Sequence, residues 1–469
     1  MSTPTSTRAP HPAAVEALRA SYAAIPPGSS VRLAKRTSNL FRPRAPQAGS
    51  GLDASGLDGV ISIDPQARTA DVQGMCTYEH LVEATLQHGL MPLVVPQLKT
   101  ITLGGAVSGL GIESTSFRNG LPHESVVEMD VLTGDGRIVT ASPEGTYSDL
   151  FAAFPNSYGS LGYCVRLRIE LEPVSAYVAL RHVRFDDLDV LASATHTICA
   201  ERRWSGEDVD FLDGVVFSPQ ESYLTLGRWT TDAASSGVLT PSDYTRQQIY
   251  YRSIQERSRD LLTVSDYLWR WDTDWFWCSG AFGAQNRTVR RVWPRSLRRS
   301  DVYHRIVGLE NRFGVMARLD RLRGRPPQER VVQDVEIPVE RTADFLRWFC
   351  RQVGMKPIWL CPLKLREPVG AGSARSWPLY PLEAGQVYVN VGFWGQVPRV
   401  EGGQDGDVNR AIERAVADHG GHKSLYSDAY YDEETFAAMY GGAEYDEVKQ
   451  VYDPDHRLTG LYEKAVGRR

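Results

Sequence analysis

The stretch Thr100-Ile101-Thr102-Leu103-Gly104-Gly105-Ala106-Val107-Ser108-Gly109-Leu110-Gly111-Ile112-Glu113-Ser114 carries the densest chemistry in the chain. Its glycines and small side chains let backbone approach a bulky planar or phosphorylated ligand, and free N–H groups at a helix start can receive pyrophosphate. The same pattern also serves close helix packing with no ligand, and the residues alone allow both. Glu113 closes the stretch. Burial there raises a carboxyl pKa and makes a sheltered acid; hydrogen bonds from backbone N–H groups or an Arg make a carboxylate that fixes a loop. Lys423, Tyr426, Asp428 and Tyr430 form a second candidate set, with a half-buried strand bearing solvated polar alternates as the alternative. The segment Tyr267-Leu268-Trp269-Arg270-Trp271-Asp272-Thr273-Asp274-Trp275-Phe276-Trp277 could line a long apolar pocket, stabilise positive charge on its ring faces or rest at a membrane surface. Trp269, Trp275 and the later Trp359 are its candidate pocket residues, with core packing as the alternative.

The elements that must position these residues follow from periodicity. Residues 13–23 read as a helix and 31–33 as a strand delivering the polar loop Lys35-Arg36-Thr37-Ser38-Asn39. Residues 60–64 and 69–73 read as paired strands, 78–88 as a helix closed by Gly89, and 91–95 as a strand. Strands follow at 125–132 and 137–140 around Thr133-Gly134-Asp135-Gly136, then a helix at 148–154 and a strand at 163–172 halted by Pro173. Beyond it, strands at 177–185, 209–217 and 222–228 flank a helix at 187–202, an α+β pattern. Strands at 332–338, 358–361 and 386–392, a helix at 342–353, a surface loop at 367–378, and helices at 407–418 and 432–451 complete the chain. The expected organisation is a domain over 1–173, a substrate or cap domain over 174–420, and a C-terminal segment over 421–469.

The Gly-rich stretch, the turn Tyr158-Gly159-Ser160-Leu161-Gly162-Tyr163 and the hairpin at Leu132–Gly136 resemble, in order and spacing, the FAD-binding half of the vanillyl-alcohol oxidase (PCMH-type) superfamily. The resemblance implies that fold, and places the isoalloxazine and pyrophosphate of FAD around Thr100, Thr102, Leu103, Gly104, Gly105, Ser108, Gly109, Gly111, Ser114 and Gly120. It places the adenine near Gly162 and Val165, and a diphosphate loop on Arg36, Thr37, Ser38 and Asn39, where Lys35–Asn39 replaces the family's Gly-rich loop. Residues 35–44 contain neither His nor Cys, the usual covalent attachment points, so noncovalent FAD is expected.

Within that superfamily the chain is most similar to sterol Δ24-reductases. It shares Gly109-Leu110-Gly111-Ile112-Glu113-Ser114, Ser116, Gly120-Leu121, Val332-Gln333-Asp334, Pro357-Ile358-Trp359-Leu360-Cys361-Pro362 and Leu425-Tyr426-Ser427-Asp428. The similarity runs from about residue 29 to the end. It implies reduction of a lipid carbon–carbon double bond, with NADPH as electron donor and a positioned acid giving the proton. The excess of Arg over Lys fits a GC-rich genome, so a methylene-branched fatty acyl chain ranks beside a sterol as substrate, with a methyltransferase as a possible partner. An alcohol, sugar or hydroxy-acid oxidase on the same fold, and a flavin-binding subunit without catalysis, are the competing readings.

Composition sets the outer bounds. A chain of 469 residues, 42% hydrophobic, can bury a multi-domain core. Its net charge of -5 and mixed signs offer no phosphate-tracking stripe, so nucleic acid is set aside. The Ser/Thr/Pro-rich start carries no apolar targeting core, and no long apolar run follows; the expected location is cytoplasmic, with peripheral membrane contact. Six scattered cysteines (Cys76, Cys164, Cys199, Cys278, Cys350, Cys361) lack metal or disulfide spacing, and no metal site is expected. The string Gly49-Ser50-Gly51-Leu52-Asp53-Ala54 lacks the flanking strand and helix of a dinucleotide fingerprint.

Overall fold

The computed structural model describes residues 10–34, 51–109, 111–233, 237–238, 240–313, 326–367, 375–399 and 402–466. The candidate diphosphate residues Arg36, Thr37, Ser38 and Asn39 lie outside them, as does Leu110.

Two antiparallel sheets organise the chain. The first contains β1 (Val60–Asp64), β2 (Thr69–Gln73), β3 (Leu90–Pro92), β4 (Val126–Leu132), β5 (Ile138–Ala141) and β6 (Tyr163–Pro173), in the order β1-β2-β6-β4-β5 with β3 also paired to β6. β6 shows why: Val165, Leu167, Ile169 and Leu171 alternate inward while Arg166, Arg168 and Glu170 face out, so a one-residue slip would invert the core face. The expected strand at 31–33 is reduced to a single bridge from Leu33 to Leu52, because Val31 N–H is instead taken by the Arg457 carbonyl.

The second sheet has β7 (Tyr177–Phe185), β10 (Phe211–Ser218), β11 (Glu221–Thr230), β12 (Arg259–Thr263), β13 (Gln328–Pro338), β14 (Ile358–Leu363), β15 (Tyr388–Pro398) and β16 (His422–Lys423), ordered β12-β7-β11-β10-β14-β15-β13-β16. The short strands β8 (Arg203–Trp204) and β9 (Glu207–Asp208) pair apart from it. Helices Leu188–Glu201 and Val339–Gln352 pack apolar faces on one side of this sheet, the first capped by the Asp187 side chain. The other side shares a core with the first domain.

The C-terminal segment belongs to both units. β16 completes the second sheet, whereas Lys449, Asp453 and Arg457 grip the first domain. The helix expected over 432–451 is broken into Glu433–Met439 and Gly442–Tyr452, because Gly441 takes φ 93, a conformation glycine adopts without a Cβ clash. Residues 424–431 are loop rather than strand.

Candidate active site between the two sheets

The Gly-rich stretch folds into the short helix Leu103–Ser108, capped by Thr102, whose side chain accepts from Gly105 N–H at 3.2 Å. Gly104 presses this helix onto the sheet: an added Cβ would stand 2.7 Å from the Gly74 carbonyl oxygen and 2.9 Å from Cys164 Cβ. Gly105 remains exposed and Ser108 half-buried, so the outer side of the helix is open. The Ser108 carbonyl accepts from Tyr158 N–H at 2.6 Å, and the Tyr158 ring lies over Gly109, where a Cβ would be 3.1 Å away. Asn156 and Tyr158 both take left-handed φ values, 65 and 50, a local cost of about 1–3 kcal/mol each that is concentrated at functional turns.

Opposite this turn stands the strand face of the second sheet. Asp334 on β13 accepts from Asn390 Nδ2 at 3.2 Å and hydrogen-bonds the Tyr426 phenol, which in turn accepts from Trp394 Nε1 at 2.8 Å. Gly392 faces Asp334 across the β13–β15 ladder, and a Cβ there would sit 2.4 Å from Asp334 Oδ1. Tyr158 is within electrostatic reach of Tyr426 and Tyr380, which brings the Gly-rich turn and the sheet together. Asp334, Tyr426, Trp394 and Tyr158 keep some accessible surface although they lie deep in the molecule, as residues bordering an internal space do.

Burial pushes the Asp334 carboxyl up to about 7, because no ion pair among the described residues offsets the lost hydration. Glu336, two residues on, is raised further by burial, with Ser424 Oγ 2.6 Å from Oε1 and His422 Nε2 3.5 Å from Oε2. His422 is held neutral, its pKa down at about 3, and packs against the rings of Tyr380 and Tyr388. The aromatic wall beside Asp334 runs from Trp394 to Phe276 (4.3 Å between centroids), then to Trp271 and Trp359.

Glu113 is held by a different set of partners. Its Oε1 receives Arg270 Nη2 at 2.7 Å and Ser114 N–H at 2.9 Å, and Arg270 also reaches Asp213 Oδ2 on β10 at 2.9 Å. Burial raises Glu113 while Arg270 pulls it down. One oxygen thus ties a loop to an arginine, while the buried Oε2 has no hydrogen-bond partner among the described residues. Lys423 is spent on Glu413 Oε1 at 2.9 Å and the Asp428 carbonyl; Asp428 pairs with Arg330 at 3.0 Å; Tyr430 stacks near Arg410. Of that candidate set, Tyr426 is hydrogen-bonded to Asp334.

The cofactor candidates divide as well. Thr100, Thr102, Gly105, Ser108 and Gly109 lie on the open helix or its approach. Leu103, Gly104, Gly111, Gly162 and Val165 are packed by protein atoms, Ser114 Oγ is 2.8 Å from Tyr267 Oη, and Gly120 lies against the Glu124 carboxylate. Trp269 and Trp275 are only 9% and 8% exposed and Trp359 2%, so the aromatic stretch belongs to the core and cannot rest on a membrane. Trp271 and Arg270 anchor it there through Asp213.

The buried Ser157 Oγ, Ser427 Oγ and Asn390 Oδ1 have no protein partner and stand beside Tyr158, Tyr426 and Asp334. With the exposed outer face of the Thr102-capped helix at Gly105 they suit a large polar cofactor. Asp334, Glu336, His422 and Asn390 were not singled out as site residues from sequence; the only local signal was Asp334 within Val332-Gln333-Asp334. No helix among the described residues is long and apolar enough to cross a membrane.

Residues 12–142 match the family described as FAD binding domain. The chain is 25% identical over 437 residues to Delta(24)-sterol reductase of Arabidopsis thaliana, a match covering 88% of this chain and 76% of that protein. It is 24% identical over 415 residues to the Delta(24)-sterol reductase of Homo sapiens, with 87% and 76% covered. Cytokinin dehydrogenase 10 of Oryza sativa subsp. japonica is 31% identical over 187 residues, 40% of this chain and 32% of that protein.

Proposed function

We propose that this chain, an FAD-dependent oxidoreductase of the vanillyl-alcohol oxidase type, reduces a carbon–carbon double bond in a lipid, either a sterol side chain or a methylene-branched fatty acyl chain, with electrons from NADPH. The observation that carries this reading is the Asp334–Tyr426 pair: a carboxyl free of ion pairs, set against an aromatic wall and facing the Gly-rich turn. The likeness to Delta(24)-sterol reductases over 87–88% of this chain supports it.

FAD, held without a covalent link, would supply the hydride. The exposed face of Gly105, Ser108 and the 157–158 turn are the described groups that would hold it. The protein's own part is proton supply and exclusion of water. An unactivated alkene carries no carbonyl to polarise it, so the donor must be a neutral acid. Asp334 near pH 7 is available in that form, and Tyr426 can pass its proton on, with Trp394 Nε1 fixing the phenol's orientation. Phe276, Trp271 and Trp359 keep the neighbouring wall apolar.

The test is anaerobic stopped-flow absorbance: NADPH first, then a Δ24-sterol or a methylene-branched phospholipid. Bleaching by NADPH and recovery with one lipid, with ping-pong steady-state kinetics, is the expected result. A flavin left yellow by NADPH but bleached by an alcohol or hydroxy acid would overturn the reading in favour of an oxidase.

A further inference from the structure

Val292 and Leu297 are 76% and 43% exposed, and they stand five positions apart on one turn-rich segment. This segment, helix Arg287–Val292 followed by the turn Arg295–Leu297, contains no acidic residue between positions 287 and 299. Its arginines split by direction. Arg290 is buried on Asp274 at 2.6 Å, Arg298 donates to backbone carbonyls including Trp293 O, and Arg299 pairs with Glu79 at 2.7 Å. These three fix the segment to the body. Arg287 and Arg291 are exposed with no ion pair among the described residues, and Arg295, 58% exposed, makes a long 4.0 Å pair with Asp243. The result is three outward guanidinium groups interleaved with two outward apolar side chains, on a protein whose net charge is -5.

The inner side of the segment leads to the aromatic stretch. Trp293 stacks on Tyr303, and Tyr303 Oη donates to the Thr273 carbonyl at 3.4 Å, between Trp271 and Trp275. The patch therefore covers the outside of the elements that build the aromatic wall.

We propose that the 287–297 face docks on a bilayer surface rich in anionic phospholipid, with Arg287, Arg291 and Arg295 on the phosphates and Val292 and Leu297 inserted at the headgroup boundary. Charge complementarity selects this occupant. On a protein of net negative charge, a local cationic face fixed by buried arginines is a surface that such a membrane attracts. The apolar pair adds the shallow insertion that separates a membrane contact from a counterion cloud. The purpose of the contact, lipid collection, rests on the proposed reductase function; the contact itself is measurable without turnover.

The experiment is co-sedimentation of the full-length FAD-loaded protein with vesicles of phosphatidylcholine, with and without phosphatidylglycerol. The expected result is binding only to the mixed vesicles. Arg287→Gln/Arg291→Gln/Arg295→Gln should lower partitioning about a hundredfold, from about fivefold per arginine, and Val292→Ser about tenfold. These exposed positions leave melting temperature and turnover of detergent-dispersed lipid unchanged. Equal binding to both vesicles, or an unchanged triple variant, would overturn the docking face. Vesicle binding without any lipid reduction would instead overturn the reductase reading and leave the docking face standing.

Discussion

Arg270 Nη2 lies 2.7 Å from Glu113 Oε1, joining the segment that follows the Gly-rich helix to the aromatic stretch of the second unit, 157 residues away in sequence. The same nitrogen reaches Asp213 on β10, so one guanidinium, with a single positive charge, bridges two buried carboxyl groups from different parts of the chain.

Removing that cation leaves Glu113 and Asp213 buried and facing each other. Arg270→Met is expected to destabilise the protein by about 3–5 kcal/mol, the usual cost of orphaning a buried charge. Glu113→Gln keeps Arg270 on Asp213 and should cost about 1–2 kcal/mol. Denaturant unfolding of the two variants checks the order. A Glu113→Gln protein that melts normally, binds flavin and yet loses turnover would identify Glu113 as the proton donor.

Asp334 makes a pH prediction with two readouts. As donor it acts in the protonated form, so turnover should fall about tenfold per pH unit above about 7. Asp334→Asn should lose about 10²–10³-fold in lipid reduction while NADPH still bleaches the flavin, and Tyr426→Phe should lose less. Stability moves separately. A carboxyl whose folded pKa is raised disfavours folding increasingly as pH climbs from its unfolded value of about 4 to its folded value of about 7. Asp334→Asn should therefore gain on the wild type across that window, by at most about 4 kcal/mol, and hold a constant difference above it. Melting curves at stepped pH read this directly; a difference independent of pH would show that Asp334 is not the buried acid described.

Gly105 is the exposed glycine of the capped helix, with Thr102 Oγ1 the nearest atom, 2.8 Å from an added Cβ. Gly105→Val should lower the flavin-to-protein absorbance ratio several-fold with little change in far-ultraviolet circular dichroism. In the unmutated protein, acid precipitation should release all of the yellow colour into the supernatant. Colour retained in the pellet would establish a covalent flavin and contradict the expectation from residues 35–44.

The strands and their inward faces were legible because alternation is local: β6 announces its core residues by period alone. The Gly-rich helix and the acid at Glu113 were legible for the same reason. What Glu113 does was not, since Arg270 and Asp213 reach it only through tertiary folding. Asp334 and Tyr426 meet because β16 pairs with β13 and delivers the following loop to it, a relationship across 92 positions that no local window contains. The aromatic stretch misled for a physical reason. Tryptophan density fits a surface or a core equally, and the decisive partner, Asp213 beneath Trp271 Nε1, lies on another strand.

The grip of Lys449, Asp453 and Arg457 on the first domain has a consequence for biosynthesis. Val31 N–H is bonded by the Arg457 carbonyl, and Lys449 Nζ closes on the Ser160 carbonyl at 2.8 Å. At about 5–20 residues per second, the ribosome delivers these partners roughly 15–60 seconds after the first domain has emerged. The nascent domain thus waits with part of its surface unclosed, and a chain terminated early at position 448 would leave the ribosome unable to finish the unit it began with.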